Sequence, residues 1–240
     1  MKTAVIIMSR IPEPGSTKTR LMNTINGHEC AEFHRACLRD ICRAVRNSGM
    51  EAFLYFTGDQ NSVHEGKWPN SHTDLWGLTA ADYAYFTMRR QKGADLGERM
   101  LNAAHDVLAR YDSVILLGSD MPVLNPGLLE ETRKRLHEND LVIGPAEDGG
   151  YYLLGCKRVH AELFKDIPWG TGNVLHLTIQ EAEKRGLICT LLPAHSDIDT
   201  WNDLVSFYEK GLINKEYCDL DSYIYAAMLI GKAKQMEGSY

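Results

Sequence analysis

The sequence is notable first for what it lacks. Its six cysteines (Cys30, Cys37, Cys42, Cys156, Cys189 and Cys218) form no C-x-x-C pair, and its nine histidines show no H-x-x-x-H or similar spacing. A zinc or dithiol redox site is therefore not signalled; the thiols read as buried cytosolic cysteines and the histidines as surface or internally satisfied residues. No apolar run approaches the length that crosses a bilayer, and no signal-peptide core follows Met1-Lys2, so no membrane partner is expected and the expected compartment is the cytoplasm. Basic residues are not in excess: 26 Lys and Arg stand against 32 Asp and Glu, a net charge of −6. That balance excludes a sequence-independent nucleic-acid binder, while leaving room for a small anion held by local cations. There is no P-loop, no G-x-G-x-x-G fingerprint, no internal repeat and no low-complexity linker.

What is present is an ordinary globular composition, 44% hydrophobic and 24% charged over 240 residues, enough for one large domain. Strand-like runs cover Thr3–Ser9, Ala52–Thr57, Tyr83–Met88, Ser113–Leu117, Leu141–Ile143, Tyr151–Leu154 and Ile188–Leu192. Helical patterns lie between most of them, at Glu29–Asn47, Leu96–Arg110, Leu128–His137 and Thr171–Arg185. The alternation predicts an α/β fold, a Rossmann-like, mostly parallel sheet sandwiched by helices. Residues 1–212 form the expected domain and 213–240 a helical C-terminal extension, with Gly58–Asp82 an irregular excursion.

The first strand runs into Pro12-Glu13-Pro14-Gly15-Ser16-Thr17-Lys18-Thr19-Arg20. Ligands of open α/β sheets bind beyond the carboxyl ends of strands, which is where this loop sits. Gly15 allows close backbone approach, the hydroxyls of Ser16, Thr17 and Thr19 are hydrogen-bond donors, and Lys18 and Arg20 bring positive charge suited to phosphate. A solvated turn with two surface cations is the plainer reading. The apolar run Val114–Leu117 leads through Gly118 and Ser119 to Asp120, a carboxylate at a strand end that suits Mg²⁺ or Mn²⁺; capping of the helix beyond Pro126 is the alternative.

Four further clusters carry chemistry. Asp148-Gly149-Gly150 is a hairpin signal that also admits a ligand to the backbone, with Asp148 placed to meet a ribose, an acceptor or a metal-bound water. Asp197 and Asp199 alternate on one side of an extended segment, while Thr200 and Asp203 have the pattern of a helix cap. Gly93 lies in a loop leading to a helix whose free amides suit an anion, unless Asp95 caps it; Trp169 and Thr171 offer an aromatic wall and a hydroxyl for an acceptor, or Trp169 fills core.

As an ordered series, "PGSTKTRL", "KGADLGERM", "LLGSDMP", "GPAEDGGYYLLG", "IPWGT" and "DIDTWNDL" resemble a family of bacterial transferases labelled glycosyltransferases, selenium-domain-associated or arsenosugar-type, within the nucleotide-diphospho-sugar transferase superfamily with its GT-A-like fold. The similarity spans about Lys2–Leu204. More distantly the chain resembles the nucleotidyltransferases of molybdenum-cofactor and phospholactate metabolism. That resemblance implies a nucleotide over the first strand with its triphosphate at Gly15, Lys18 and Arg20, and metal ligation by Asp120 and by Asp197 or Asp199. Read from the residues themselves, Ser16, Thr17, Gly93 and Ser119 are further nucleotide-binding candidates, and Gly149, Gly150, Trp169 and Thr171 are candidates for the acceptor site. Trp201 stands where the distant motif has proline.

The leading expectation is nucleotidyl transfer from a nucleoside triphosphate to a phosphorylated small molecule, with Lys18, Arg20, Asp120 and Asp148 as catalytic groups. A second is glycosyl transfer from a nucleotide sugar, in which Asp148 serves the acceptor hydroxyl. A non-catalytic nucleotide-binding protein is the reading of another class. Assembly with further copies of the chain is left open.

Overall fold

Seven runs become strands, mostly buried except at the two sheet edges, β3 and β7: β1 (Thr3–Arg10), β2 (Glu51–Thr57), β3 (Phe86–Arg90), β4 (Ser113–Leu117), β5 (Leu141–Pro145), β6 (Tyr151–Cys156) and β7 (Cys189–Leu191). The computed structural model describes residues 1–58 and 75–237. Its strands form one sheet in the order β3-β2-β1-β4-β6-β5-β7. β6 alone among them runs antiparallel, to both β4 and β5, and the others are parallel. The reversal is made at Asp148-Gly149-Gly150, the predicted hairpin turn. Gly149 takes φ +88°, and a Cβ there would lie 2.1 Å from the Gly172 carbonyl oxygen, so only glycine fits.

The helices are α1 (Gly27–Asn47), α2 (Ala80–Tyr85), α3 (Leu96–Leu108), α4 (Pro126–Arg135), α5 (Val174–Lys184), α6 (Trp201–Ile213) and α7 (Asp221–Glu237). Alternation along β1 sorts them into layers: Val5 and Ile7 pack with Leu38 and Ile41 of α1 and Leu129 of α4, while Ala4, Ile6 and Met8 pack with Met100, Ala103 and Val107 of α3. A strand buried on both faces reads as a continuous apolar run, as β1 does. A third cluster joins Phe33 and Cys37 of α1 to Leu204 and Phe207 of α6 and Ala226 and Leu229 of α7. The start of α7 is capped from α1, because the Asp40 carboxylate accepts from the Asp221 and Ser222 amides at 2.9 Å each.

The expected strand over Tyr83–Met88 is corrected. Thr79 and Asp82 form a reciprocal capping box that starts α2, and the strand begins only at Phe86. The local cap, with the Asp82 carboxylate also 2.5 Å from Arg46, outweighs the alternation of Tyr83-Ala84-Tyr85. Of the expected excursion, residues 59–74 lie outside the described residues; Trp76 is fully buried against Phe56. Cys30, Cys37, Cys42 and Cys156 are buried, Cys189 is half-buried, Cys218 is exposed, and all six are free thiols. No described helix is long and apolar enough to cross a membrane.

Candidate active site

Because β1 and β4 are neighbours and parallel, the loop after β1 and the residues after β4 emerge side by side. Between them and the β5–β6 turn lies a cleft of about 550 Å³, within the range of small-molecule sites. Arg10, Lys18, Arg20 and Arg99 line it together with Asp120, Asp148, Asp197 and Asp199. Cations and carboxylates are thus equally represented in a single cleft, a composition that suits a phosphate chain accompanied by a metal better than either alone.

Lys18 is the link between the two sets. Its side chain is only 2% exposed. Its Nζ lies 2.5 Å from Asp120 Oδ1 and 3.5 Å from Asp199 Oδ1, and donates to the Ile198 carbonyl at 2.5 Å. Burial alone would lower the ammonium pKa, but the two carboxylates raise it above the ordinary lysine range. Lys18 adopts left-handed backbone angles, φ 49° and ψ 41°, uncommon for a residue with a Cβ. Arg20 stays 65% exposed, 3.6 Å from Asp199 Oδ2. The sequence presents these two cations as a pair, yet only Arg20 is a surface cation.

The acids differ in the same way. The surroundings of Asp120 would raise its pKa, but the Lys18 ammonium holds it below the usual carboxylate range. Asp197 has no such compensation: burial first, then the charges of Asp120, Asp148 and Asp199, push it up to about 7 against the opposing pull of Lys18. Asp148 accepts from the Gly150 amide at 2.9 Å and remains exposed at the cleft wall. Thr200 and Asp203 form the capping box of α6, and Asn125, not Asp120, caps α4. The plainer reading of Asp120 as a helix cap is thereby removed.

Two hydroxyls of the first loop, those of Ser16 and Thr17, are engaged within the protein. Ser16 donates to the Glu13 carbonyl at 3.0 Å, and Thr17 lies 2.5 Å from His34 Nδ1. The amides of Thr17 and Lys18 find no acceptor among the described residues, leaving backbone donors for an anion. Ser119, Gly150, Trp169 and Thr171 line the cleft. Thr171 donates to Pro168 O at 2.8 Å, and Trp169 packs edge-on to Tyr151 at 6.2 Å. Gly15, Gly93 and Gly149 are not among the lining residues. Gly15 (φ +84°) turns the loop, Gly93 packs against Glu98 and Arg99, and Gly149 is held by Gly172. Asp95 does cap α3, accepting from the Glu98 amide at 2.8 Å.

Among the lining residues that escaped the sequence reading as site members are two arginines and a histidine. Arg10 ends β1, and Arg99 is held by its Nε on the Gly93 carbonyl at 3.1 Å. His34 shares a helical row with Leu38, Ile41 and Val45, a polar residue on a buried face, and that row was its one sequence signal.

The cleft acids also suit a divalent cation. Among the described residues no group of three or more carboxylate, imidazole or thiolate side chains is gathered as a complete metal cage. Mg²⁺ and Mn²⁺ complexes of nucleotides need no such cage, since phosphate oxygens and water complete the coordination. The gathering of Asp120, Asp148, Asp197 and Asp199 along one cleft is the observation that marks this set as fitting such an ion.

Comparison with known proteins bears on the family and the fold. The model of the family described as "Uncharacterized protein conserved in bacteria (DUF2064)" matches residues 41–171, and the chain belongs to that family. It is similar to 2-phospho-L-lactate guanylyltransferase of Methanoculleus marisnigri, 26% identical over 219 residues that cover 89% of this chain and 87% of that one. Among solved structures it resembles a candidate nucleotide-diphospho-sugar transferase from Desulfovibrio desulfuricans G20, with a TM-score of 0.86, 27% identity and coverage of 98% and 97%. A cytidylyltransferase from Leptospira borgpetersenii shares the fold at TM-score 0.54 and 15% identity, over 99% of this chain and 96% of that one.

Proposed function

We propose that this member of the family is a nucleotidyltransferase that binds a nucleoside triphosphate in the cleft and transfers its nucleotidyl group to a phosphorylated small molecule. The observation that carries the reading is the meeting of Arg10, Arg20 and Arg99 with the acids Asp120, Asp197 and Asp199 around one cleft. In the reaction a phosphate oxygen of the acceptor attacks the α-phosphorus, the bond from that phosphorus to the bridging oxygen breaks, and pyrophosphate leaves. A phosphate acceptor is already ionised at neutral pH, so the chain need supply no general base.

The work left to the protein is placement and charge neutralisation. The exposed guanidinium of Arg20, with Arg10 and Arg99, holds the triphosphate tail. Lys18 is committed to Asp120 and Asp199 and fixes the position of both. Asp120 and Asp197, with Asp199 beside them, would hold Mg²⁺ or Mn²⁺, which when bound neutralises charge on the phosphate oxygens. Trp169 and Thr171 line the part of the cleft assigned to the acceptor.

Glycosyl transfer from a nucleotide sugar is the second reading. It is favoured by Asp148, an exposed carboxylate that lines the same cleft and is available to an acceptor hydroxyl, and by the sugar-transferase description of one relative. A thermal-shift and calorimetric screen of nucleoside triphosphates and nucleotide sugars, with and without Mg²⁺ or Mn²⁺, separates the two. Given the guanylyltransferase among the relatives, GTP with 2-phospholactate is the first pair to test. Tight, metal-assisted binding of a triphosphate supports the first reading; binding of nucleotide sugars alone replaces it with the second.

A further inference from the structure

His34 is 2% exposed and sits on α1 in the row occupied at its other positions by Leu38, Ile41 and Val45. A polar ring in such a row is costly unless every nitrogen is satisfied. Both are, and all of the partners come from the elements that build the cleft. Nδ1 lies 2.5 Å from Thr17 Oγ1 in the first loop. Nε2 lies 3.2 Å from Ser9 Oγ near the end of β1 and 3.2 Å from Ser119 Oγ beyond β4.

The proton positions follow from counting donors. Ser9 Oγ donates its one proton to the Arg10 carbonyl at 2.9 Å, so it can only accept from the ring. Nε2 therefore carries the hydrogen, and bare Nδ1 accepts from Thr17. Ser119 takes a share of the same Nε2–H and keeps its own hydroxyl proton for the cleft it lines. With both nitrogens committed, the ring is not placed to act as an acid or base.

The sequence positions give this arrangement its meaning. Thr17 precedes Lys18 and Ser119 precedes Asp120. The imidazole bridges the first members of these two pairs, and the ion pair joins the second members at 2.5 Å. The loop and the strand end are thus tied by two consecutive cross-links, one neutral and one charged.

We propose that His34 is a positioning residue that clamps the first loop to the ends of β1 and β4, and through that register sets Lys18 against Asp120. Its consequence for ligand binding rests on the nucleotide reading above; the clamp itself does not.

Hydrogen exchange by mass spectrometry or NMR tests it in the full chain. His34→Leu keeps the volume and removes all of the ring's hydrogen bonds, to Thr17, Ser9 and Ser119; Thr17→Val removes only the loop-side one, and His34→Gln restores a planar donor and acceptor. The loop amides with backbone acceptors, Ser16, Leu21, Thr24 and Ile25, are the reporters. The clamp predicts about tenfold faster exchange at these amides in Thr17→Val, the effect of losing one ordinary hydrogen bond, and at least as large an increase in His34→Leu. Recovery is expected in His34→Gln, with no change in β2 or β3. The proposal is overturned by unchanged loop exchange in Thr17→Val, which keeps the core intact, or by acceleration spread evenly over the sheet. In parallel, GTP affinity is expected to fall about tenfold in Thr17→Val, the single-bond loss, and at least as much in His34→Leu. If wild-type protein binds neither triphosphates nor nucleotide sugars, the nucleotide reading fails while the exchange result still decides the clamp.

Discussion

Lys18 Nζ sits 2.5 Å from Asp120 Oδ1, joining residues 102 positions apart, with the lysine side chain almost wholly buried and the aspartate 43% exposed to the cleft. One end of this pair is structural and the other faces the ligand. Removing the cation leaves Asp120 and Asp199 without their main partner. Lys18→Met is expected to cost about 1–3 kcal/mol, less than the loss of a fully buried pair because Asp120 retains water contact. Arg20→Ala, at a 65% exposed site, is expected to change stability by about 0–1 kcal/mol while weakening triphosphate binding. Urea denaturation of the two variants checks this; equal stability losses would contradict the division of roles.

Asp197 gives the pH dependence. Its folded pKa of about 7 lies above the ordinary Asp value of about 3.9. Below about pH 4 both states are protonated and the group costs nothing; between about pH 4 and 7 the unfolded chain ionises first and stability is lost. Asp197→Asn escapes that loss. In metal-free buffer its melting temperature relative to wild type should therefore be higher at pH 8 than at pH 4.5, each kcal/mol of relief amounting to about 2–4 °C for a chain of this size. A difference independent of pH would show that Asp197 is not strained.

Added Mg²⁺ or Mn²⁺ should reverse the same repulsion. At a hundred times its dissociation constant, an ion that binds only the folded state adds about 2.7 kcal/mol. Wild type should show a saturable rise in melting temperature at pH 8, and Asp120→Asn and Asp197→Asn should each lose most of it. An equal rise in all three proteins would place the ion elsewhere.

Gly149 tests the boundary between turn and site. An added methyl group meets the Gly172 carbonyl at 2.1 Å in a left-handed conformation, so Gly149→Ala should destabilise by about 2–3 kcal/mol. Gly150→Ala, whose nearest contact is Asp148 Oδ1 at 3.1 Å, should be milder. The reverse order, read by thermal denaturation, would remove the structural account of the turn.

Local chemistry made much of this legible in the sequence. The alternation of strand and helix, the Thr200–Asp203 cap, the Asp-Gly-Gly reversal and the strand-end position of Asp120 all depend on neighbours within a few residues. The burial of Lys18 does not: it depends on Asp120 and Asp199, brought close only because β1 pairs with β4 and the late segment folds back over them. The Thr17 hydroxyl is engaged for the same reason, since its partner His34 arrives from α1, whereas Ser16 is held locally by the Glu13 carbonyl. At Tyr83–Tyr85 the error was local, a capping box overlooked beneath an alternating pattern.

The central claim is that the cleft activates a nucleoside triphosphate toward a phosphorylated acceptor. Its most direct test is pyrophosphate release by purified protein given each nucleoside triphosphate, Mg²⁺ or Mn²⁺ and a panel of phosphorylated small acids, with Asp120→Asn as the control. A nucleotidyltransferase should release pyrophosphate in step with acceptor from one of the triphosphates, and the variant should not. No pyrophosphate from any triphosphate, with a nucleoside diphosphate released from a nucleotide sugar instead, would contradict it.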